Sequence, residues 1–228
     1  MREIILDTET TGLSPQDGHR LVEIGAVELI NHLPTGKTFQ IYLNPERDMP
    51  SEAEAVHGLS SAFLKDKPLF KQKVGEFLSF IEQSVLVIHN ASFDMGFINA
   101  ELTSAGQQPI GNERVLDTLQ MARRKHPMGP NSLDALCRRY GIDNTKRTKH
   151  GALMDAELLA EVYLELIGGR QTAMSLNAET KQKAKITLNQ SVHIKTRPTK
   201  LPERLTEQEK ANHALLVEEL GNENLWTS

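Results

Sequence analysis

Several things are scarce in this 228-residue chain, and each scarcity narrows what it can be. A single cysteine, Cys137, excludes an internal disulfide framework and any zinc site built on thiolates, and it suits a reducing compartment. No apolar run approaches the ~20 residues needed to span a bilayer. Met1 leads straight into a strand-like stretch with no signal-peptide pattern, so the expected location is cytoplasmic. Positive charge is also short: 26 Lys and Arg stand against 30 Asp and Glu, a net charge of −4 that is not that of a simple polyanion binder. The balance is uneven, since six Lys or Arg and no acid fall between Lys181 and Lys200. An enzyme that holds cations binds a polyanion through them, so acidity alone excludes little. Internal repeats and low-complexity tracts are absent.

What is present reads as one sizeable core with an appendage. Glu3 to Asp7, Leu21 to Leu29 and Lys37 to Leu43 are rich in Ile, Leu and Val and read as strands at hairpin spacing. A short helical stretch ends near Val56, and Pro68 to Gln83 carries helix-spaced Leu69, Val74, Phe77, Leu78 and Ile81. Val85 to His89 is an unbroken apolar run, as in a parallel strand covered on both faces. Helices are expected near Phe93 to Ala105, Thr118 to His126, Leu133 to Tyr140 and Ala152 to Ile167, with a last strand at Arg114 to Asp117. Cys137 shares a stripe with Leu133, Leu136 and Tyr140 and reads as core. This order predicts an α/β fold, a mixed sheet flanked by helices. The compact domain is expected over 1–169, a flexible tether over 170–204 and a helical segment over 205–228, opened by a capping box at Thr206 and Glu209 and stopped at Gly221.

The chemistry lies in carboxylates. Asp7 and Glu9 stand two apart on a strand and point to one face, where like charges raise each other's pKa unless a cation neutralises them. Asp94 falls in the first turn of a helix, with Ser92 as the expected N-cap, on the same stripe as Phe97, Ile98 and Leu102. Asp155 precedes Leu158, Leu159 and Val162 on the buried face of the last domain helix. A carboxylate at the mouth of an apolar stripe needs a partner. His150 lies five residues before Asp155, and an ordinary imidazole pKa of ~6.5 suits a general base. Three segments delivering carboxylates and one histidine make the layout of a two-metal phosphodiesterase.

The motifs LDTETTGL (6–13), HNASFD (89–94) and HGALMD (150–155) resemble those of the DEDD exonuclease superfamily in its histidine subtype, and within it the proofreading subunits of bacterial replicative polymerases. The resemblance covers residues 2 to 176 well and the rest in outline. It implies a ribonuclease-H-like fold and 3′→5′ removal of single nucleotides with two Mg²⁺ or Mn²⁺ ions. It implies metal ligation by Asp7, Glu9, Asp94 and Asp155, with Asp7 bridging, and activation of water by His150. AVHGLS (55–60) is similar to the segment that packs on the terminal nucleotide, making Val56 and His57 substrate contacts; the alternative for His57 is capping the turn at Gly58. The backbone of Thr8, Thr10 and Thr11 would hold the 3′ end, with His89 and Asn90 beside the strand. Arg138, Arg139, Lys146, Arg147 and Lys149 are candidate phosphate contacts or solvated surface.

QTAMSL (171–176) resembles a sliding-clamp-binding peptide through Gln171, Met174 and Leu176. His213, Leu216, Val217 and Leu220 line one face of the terminal helix; with Trp226 they resemble an anchor for the polymerase catalytic (alpha) subunit, the alternative being a helix folded back on its own domain. The resemblance leaves open a small accessory subunit. Two other functions remain open: an RNA-trimming exonuclease of the same superfamily, and a mainly structural polymerase–clamp adaptor.

Overall fold

The structure, a computed structural model, describes residues 1–145, 147, 149–168 and 205–219. Residues 1–177 and 178–228 are separate compact units. In the first, strands β1 (Arg2–Thr10), β2 (Leu21–Ile30), β3 (Leu33–Tyr42), β4 (Val85–Ile88) and β5 (Val115–Asp117) form one sheet in the order β3-β2-β1-β4-β5. The amino-terminal strands pair antiparallel, as short connections allow, whereas β4 and β5 join parallel to β1 and to each other. The helices are α1 (Ser51–His57), α2 (Ser61–Leu64), α3 (Phe70–Ile81), α4 (Ala91–Ser104), α5 (Thr118–Lys125), α6 (Leu133–Tyr140) and α7 (Ala152–Leu166).

Alternation along β1 sorts its residues between two cores. Ile4 and Leu6 join Phe77, Phe97, Ile98 and Leu102 of α3 and α4 on one face of the sheet. Ile5 joins Ala156, Leu159 and Tyr163 of α7 on the other. Ala122, Leu136 and Cys137 pack with Val162 and Leu166 in a third cluster joining α5 and α6 to α7. The sheet is thus covered on both faces, which is why β4 reads as uninterrupted Val85-Leu86-Val87-Ile88.

The expected α/β sheet with flanking helices is what forms. Boundaries move in places for local reasons. β1 continues to Thr10 because β2 pairs with it as far as Leu21, and β3 begins at Leu33 because it pairs back to Ile30 across a tight turn at Asn31 and His32, both at positive φ. The expected cap at Ser92 is not the one used: α4 starts at Ala91, and its N-cap is Asn90 in the left-handed conformation with φ 64°. Helix α2 was not expected; Ser60 caps it by accepting from the Phe63 N–H.

The second unit contributes α8 (Glu207–Glu219), which opens on the expected capping box: Glu209 N–H donates to Thr206 Oγ1 and Thr206 N–H donates to Glu209 Oε2. Leu216 is exposed and Val217 half-buried. Gln171, Met174, Leu176, Leu220, Gly221, Trp226 and nearly all of the expected tether lie outside the described residues. Among the described residues no helix is long and apolar enough to cross a membrane.

Candidate active site

The site forms where the parallel strands β1 and β4 end, the edge at which open α/β sheets bind ligands. Asp7 and Glu9 lie on the α7 face of β1, and the pairing shifts register just after Glu9, between Glu9 and Thr10. A bulge at that point ends regular pairing beside the carboxylates. Opposite Asp7 on β2 is Gly25. A Cβ there would stand 2.1 Å from the Leu153 backbone nitrogen, so only glycine lets the first turn of α7 press onto the sheet. That contact carries Asp155, 2% exposed, to the strand carboxylates.

Two buried glutamates hold α7 in place. Glu23, cross-strand from Glu9, accepts from the Ala152 N–H through Oε2 at 3.2 Å and from Gln40 through Oε1 at 2.8 Å. It thereby satisfies a free amide at the start of α7. Three turns further along, Tyr163 Oη donates to Glu3 Oε1 at 2.6 Å. Asp94 arrives from the other side, on the first turn of α4, where Thr8 Oγ1 donates to its Oδ1 at 2.7 Å.

These carboxylates strain against one another. Burial first, then the charges of Asp94, Asp155 and Glu9, push Asp7 well above the ordinary carboxylate range. Glu9 is pushed from 4.5 up to about 8 by burial and by Asp155, Glu23 and Asp94. Burial lifts Asp94 to about 7, although the Thr8 hydroxyl pulls the other way. Such a cluster calls for cations. Oxygen-rich donors suit hard divalent ions, and one ligand atom each from Glu9, His150 and Asp155 lies within 4.8 Å of the others. The residues present therefore fit Mg²⁺ or Mn²⁺.

His150 is about half exposed, with Nδ1 3.2 Å from Asp155 Oδ2. Its backbone N–H donates to the Val56 carbonyl at 3.2 Å, tying it to the end of α1. Arg147 reaches the same cluster. Its Nε and Nη2 donate to the two Asp155 oxygens at 2.5 and 2.6 Å, Nη1 donates to Asp134 Oδ1 at 2.7 Å, and Nη2 lies 2.7 Å from His150 Nδ1. This departs from the outward, phosphate-facing placement that its basic neighbourhood suggested. Arg139 is also engaged, with Pro130 and Asn131, and Lys149 lies over Gly58.

Asp7, Thr8, Glu9, His89, Asn90, Asp94, His150 and Asp155 line one cavity of about 700 Å³. A second, of about 530 Å³, is lined by Thr8, Glu9, Thr10, Thr11, Val56 and His57. Thr8, Glu9 and Phe93 belong to both walls, so the two spaces adjoin. His57 does cap the turn at Gly58, its Nδ1 accepting from the Leu59 N–H, which leaves the proton of the neutral ring on the buried Nε2. The capping reading of His57 is thus met, while the residue also lines the second cavity, and burial lowers its pKa. His89 is likewise lowered by burial, with Nδ1 2.9 Å from Thr118 Oγ1. The Thr10 and Thr11 hydroxyls are spent internally, on the Gly12 carbonyl and on His19 and the Arg20 N–H.

Reading the sequence missed Glu23, Gly25 and the inward role of Arg147. Glu23 and Gly25 had a visible signal, an acid and a glycine inside the otherwise apolar LVEIGAVELI.

Comparison with known proteins agrees with this geometry. The sequence model of the family described as Exonuclease matches residues 4–163. The protein named DNA polymerase III subunit epsilon from Rickettsia conorii is 50% identical over 93% of this chain and 94% of its own length. The protein of the same name from Escherichia coli is 48% identical over 79% of this chain and 78% of its own. Among solved structures, exonuclease X in complex with 5′ overhanging duplex DNA superposes with a TM-score of 0.57 at 25% identity, covering 74% of this chain and 92% of that one. The nuclease domain of 3′hExo, a DEDDh family member bound to rAMP, gives 0.64 at 18% identity over the same shares, a likeness of fold.

Proposed function

The chain belongs to the exonuclease family, among the DNA polymerase III epsilon subunits, and from that premise we propose how its residues carry out 3′→5′ proofreading of DNA. It is a nuclease that removes mismatched nucleotides from the 3′ end of a nascent strand. The observation that carries the residue assignment is the convergence of Asp7, Glu9, Asp94, Asp155 and His150 on one cavity wall. Asp7, Glu9, Asp94 and Asp155 would hold two divalent cations, Mg²⁺ or Mn²⁺, which would supply polarisation of the scissile phosphate, a more acidic water and charge stabilisation of the leaving oxygen. His150 takes a proton from the attacking water, and the Val56 carbonyl fixes its backbone. Thr8 positions Asp94 through its hydroxyl, and Glu23 positions Asp155 by holding the start of α7. The adjoining cavity, with Val56 and His57 in its wall, takes the terminal nucleoside, while His89 and Asn90 border the path of the strand.

No base needs to be read for selection. A mismatched end melts more readily than a paired one, and a groove that admits only a single strand responds to melting. We assign 1–169 to the exonuclease domain, 170–204 to a tether carrying a clamp-binding peptide at 171–176, and 205–228 to a segment that anchors this chain to the polymerase catalytic subunit, with the cytoplasm as its place of action. A tether of this kind raises the local nuclease concentration to the order of mM.

The test is digestion of matched DNA, mismatched DNA and RNA of equal length, labelled at the 5′ end, with Mg²⁺, with chelator, and with a variant combining Asp7→Ala and Glu9→Ala. Metal-dependent shortening from the 3′ end, fastest on mismatched DNA and abolished in the variant, is the expected result. Preference for RNA, or equal cleavage by the variant, would overturn it.

A further inference from the structure

We infer that Arg147 is a built-in counter-cation for this site: its guanidinium holds the Asp155 carboxylate while the cations are away, and it must let go for them to load. The inference rests on the reading of Asp155 as a metal ligand. Both Asp155 oxygens are engaged by the guanidinium fork, at 2.5 and 2.6 Å, and the Arg147 side chain is only 7% exposed. The same Nη2 that donates to Asp155 also lies 2.7 Å from His150 Nδ1, the ring nitrogen on the Asp155 side. The guanidinium lines the same cavity as Asp7, Glu9 and Asp94 and is in direct contact with Asp155, so it is a positive charge placed inside the carboxylate cluster. A planar fork matched to a carboxylate is the strongest neutraliser that a side chain offers.

The same contacts oppose a metal. An ion held by Glu9 and Asp155 draws on the Asp155 oxygens that Arg147 now occupies, and it repels a guanidinium close by. The surroundings supply a resting place for the displaced group. Asp134, 43% exposed, already holds Nη1 at 2.7 Å, and Asn144 Nδ2 donates to the same oxygen at 3.0 Å. The Arg147 N–H donates to the Asn144 carbonyl at 3.0 Å, so the backbone stays fixed while the side chain pivots about Asp134. A merely structural ion pair makes the opposite prediction, since removing it would loosen Asp155 and weaken metal binding.

The experiment is calorimetric titration of the full chain with Mn²⁺ at constant pH and ionic strength, for the natural protein, Arg147→Gln and Arg147→Lys, with thermal unfolding of each in chelator and in saturating Mn²⁺. The Gln variant should bind Mn²⁺ on the order of ten- to a hundredfold more tightly, because no charge-assisted pair has to be broken. It should also unfold earlier in chelator, with the deficit closing in Mn²⁺, and the Lys variant should fall between. If the Gln variant folds only with Mn²⁺ present, that too supports the counter-cation role, and the Lys variant then carries the affinity comparison. Affinity equal to or weaker than that of the natural protein, in a variant that is folded in Mn²⁺, would overturn the inference. A natural protein that takes up no Mn²⁺ would instead sink the reading of Asp155 as a ligand, and this inference with it.

Discussion

Raising the pH with chelator present should weaken this protein, and restoring Mg²⁺ should remove the weakness. Unfolded, Glu9 and Asp94 ionise near 4.5 and 3.8; folded, they hold their protons to about 8 and about 7. The folded state therefore carries more protons across that interval, and its stability falls as pH rises through the folded values. Between pH 6.5 and 8.5, linkage gives a loss of about 2 kcal/mol from Glu9 and about 1 kcal/mol from Asp94. Because the carboxylates interact, the loss belongs to the cluster rather than to each residue, on the order of 2–3 kcal/mol in all. For a chain of this size that is roughly 4–12 °C in melting temperature. His57 and His89, lowered by burial, work in the opposite sense near pH 6.5, so the informative quantity is the difference between chelator and saturating Mg²⁺ at each pH. Differential scanning calorimetry over this range should give curves that diverge as pH rises, and Glu9→Gln should remove most of the divergence. Parallel curves would refute the reasoning, because the carboxylates would then not need the metal.

Other perturbations follow from the same geometry. His150→Gln should slow single-turnover hydrolysis by about 10²–10⁴ while 3′-end binding persists, and a loss under ~10-fold would exclude it as the base. Gly25→Ala should cost about 2–3 kcal/mol in chemical denaturation by forcing α7 off the sheet, and should depress activity with it; a neutral variant would mean that the close approach at Leu153 is unimportant. Arg20 donates from Nε and Nη2 to the two Glu101 oxygens at 2.6 and 2.9 Å, so Arg20→Ala leaves a buried carboxylate alone. With Arg20 itself a third exposed, about 2–3 kcal/mol is the expected loss by urea denaturation, largely recovered in the double variant with Glu101→Gln.

The legible part of this protein is the part in which local pattern and tertiary demand coincide. An unbroken Val85–Ile88 announces a strand buried on both faces, and Leu133–Tyr140 forms a helix over the residues that its spacing marks. The site was legible for the opposite reason. Asp94 and Asp155 break the apolar stripes they sit on, and an acid in such a place is too costly to be idle. Illegible were the contacts made across the sheet. Nothing near Ala152 announces that Glu23, far away in sequence, will accept its amide, and nothing near Arg147 announces whether it faces solvent or Asp155. Charge alone placed Arg147 among candidate phosphate contacts or solvated surface, whereas its guanidinium turns inward to Asp155 and Asp134. The misplacement is informative in itself. A site assembled from separated segments must be stable before its metals arrive, and a basic residue next to a catalytic motif can serve that need as readily as it serves the substrate.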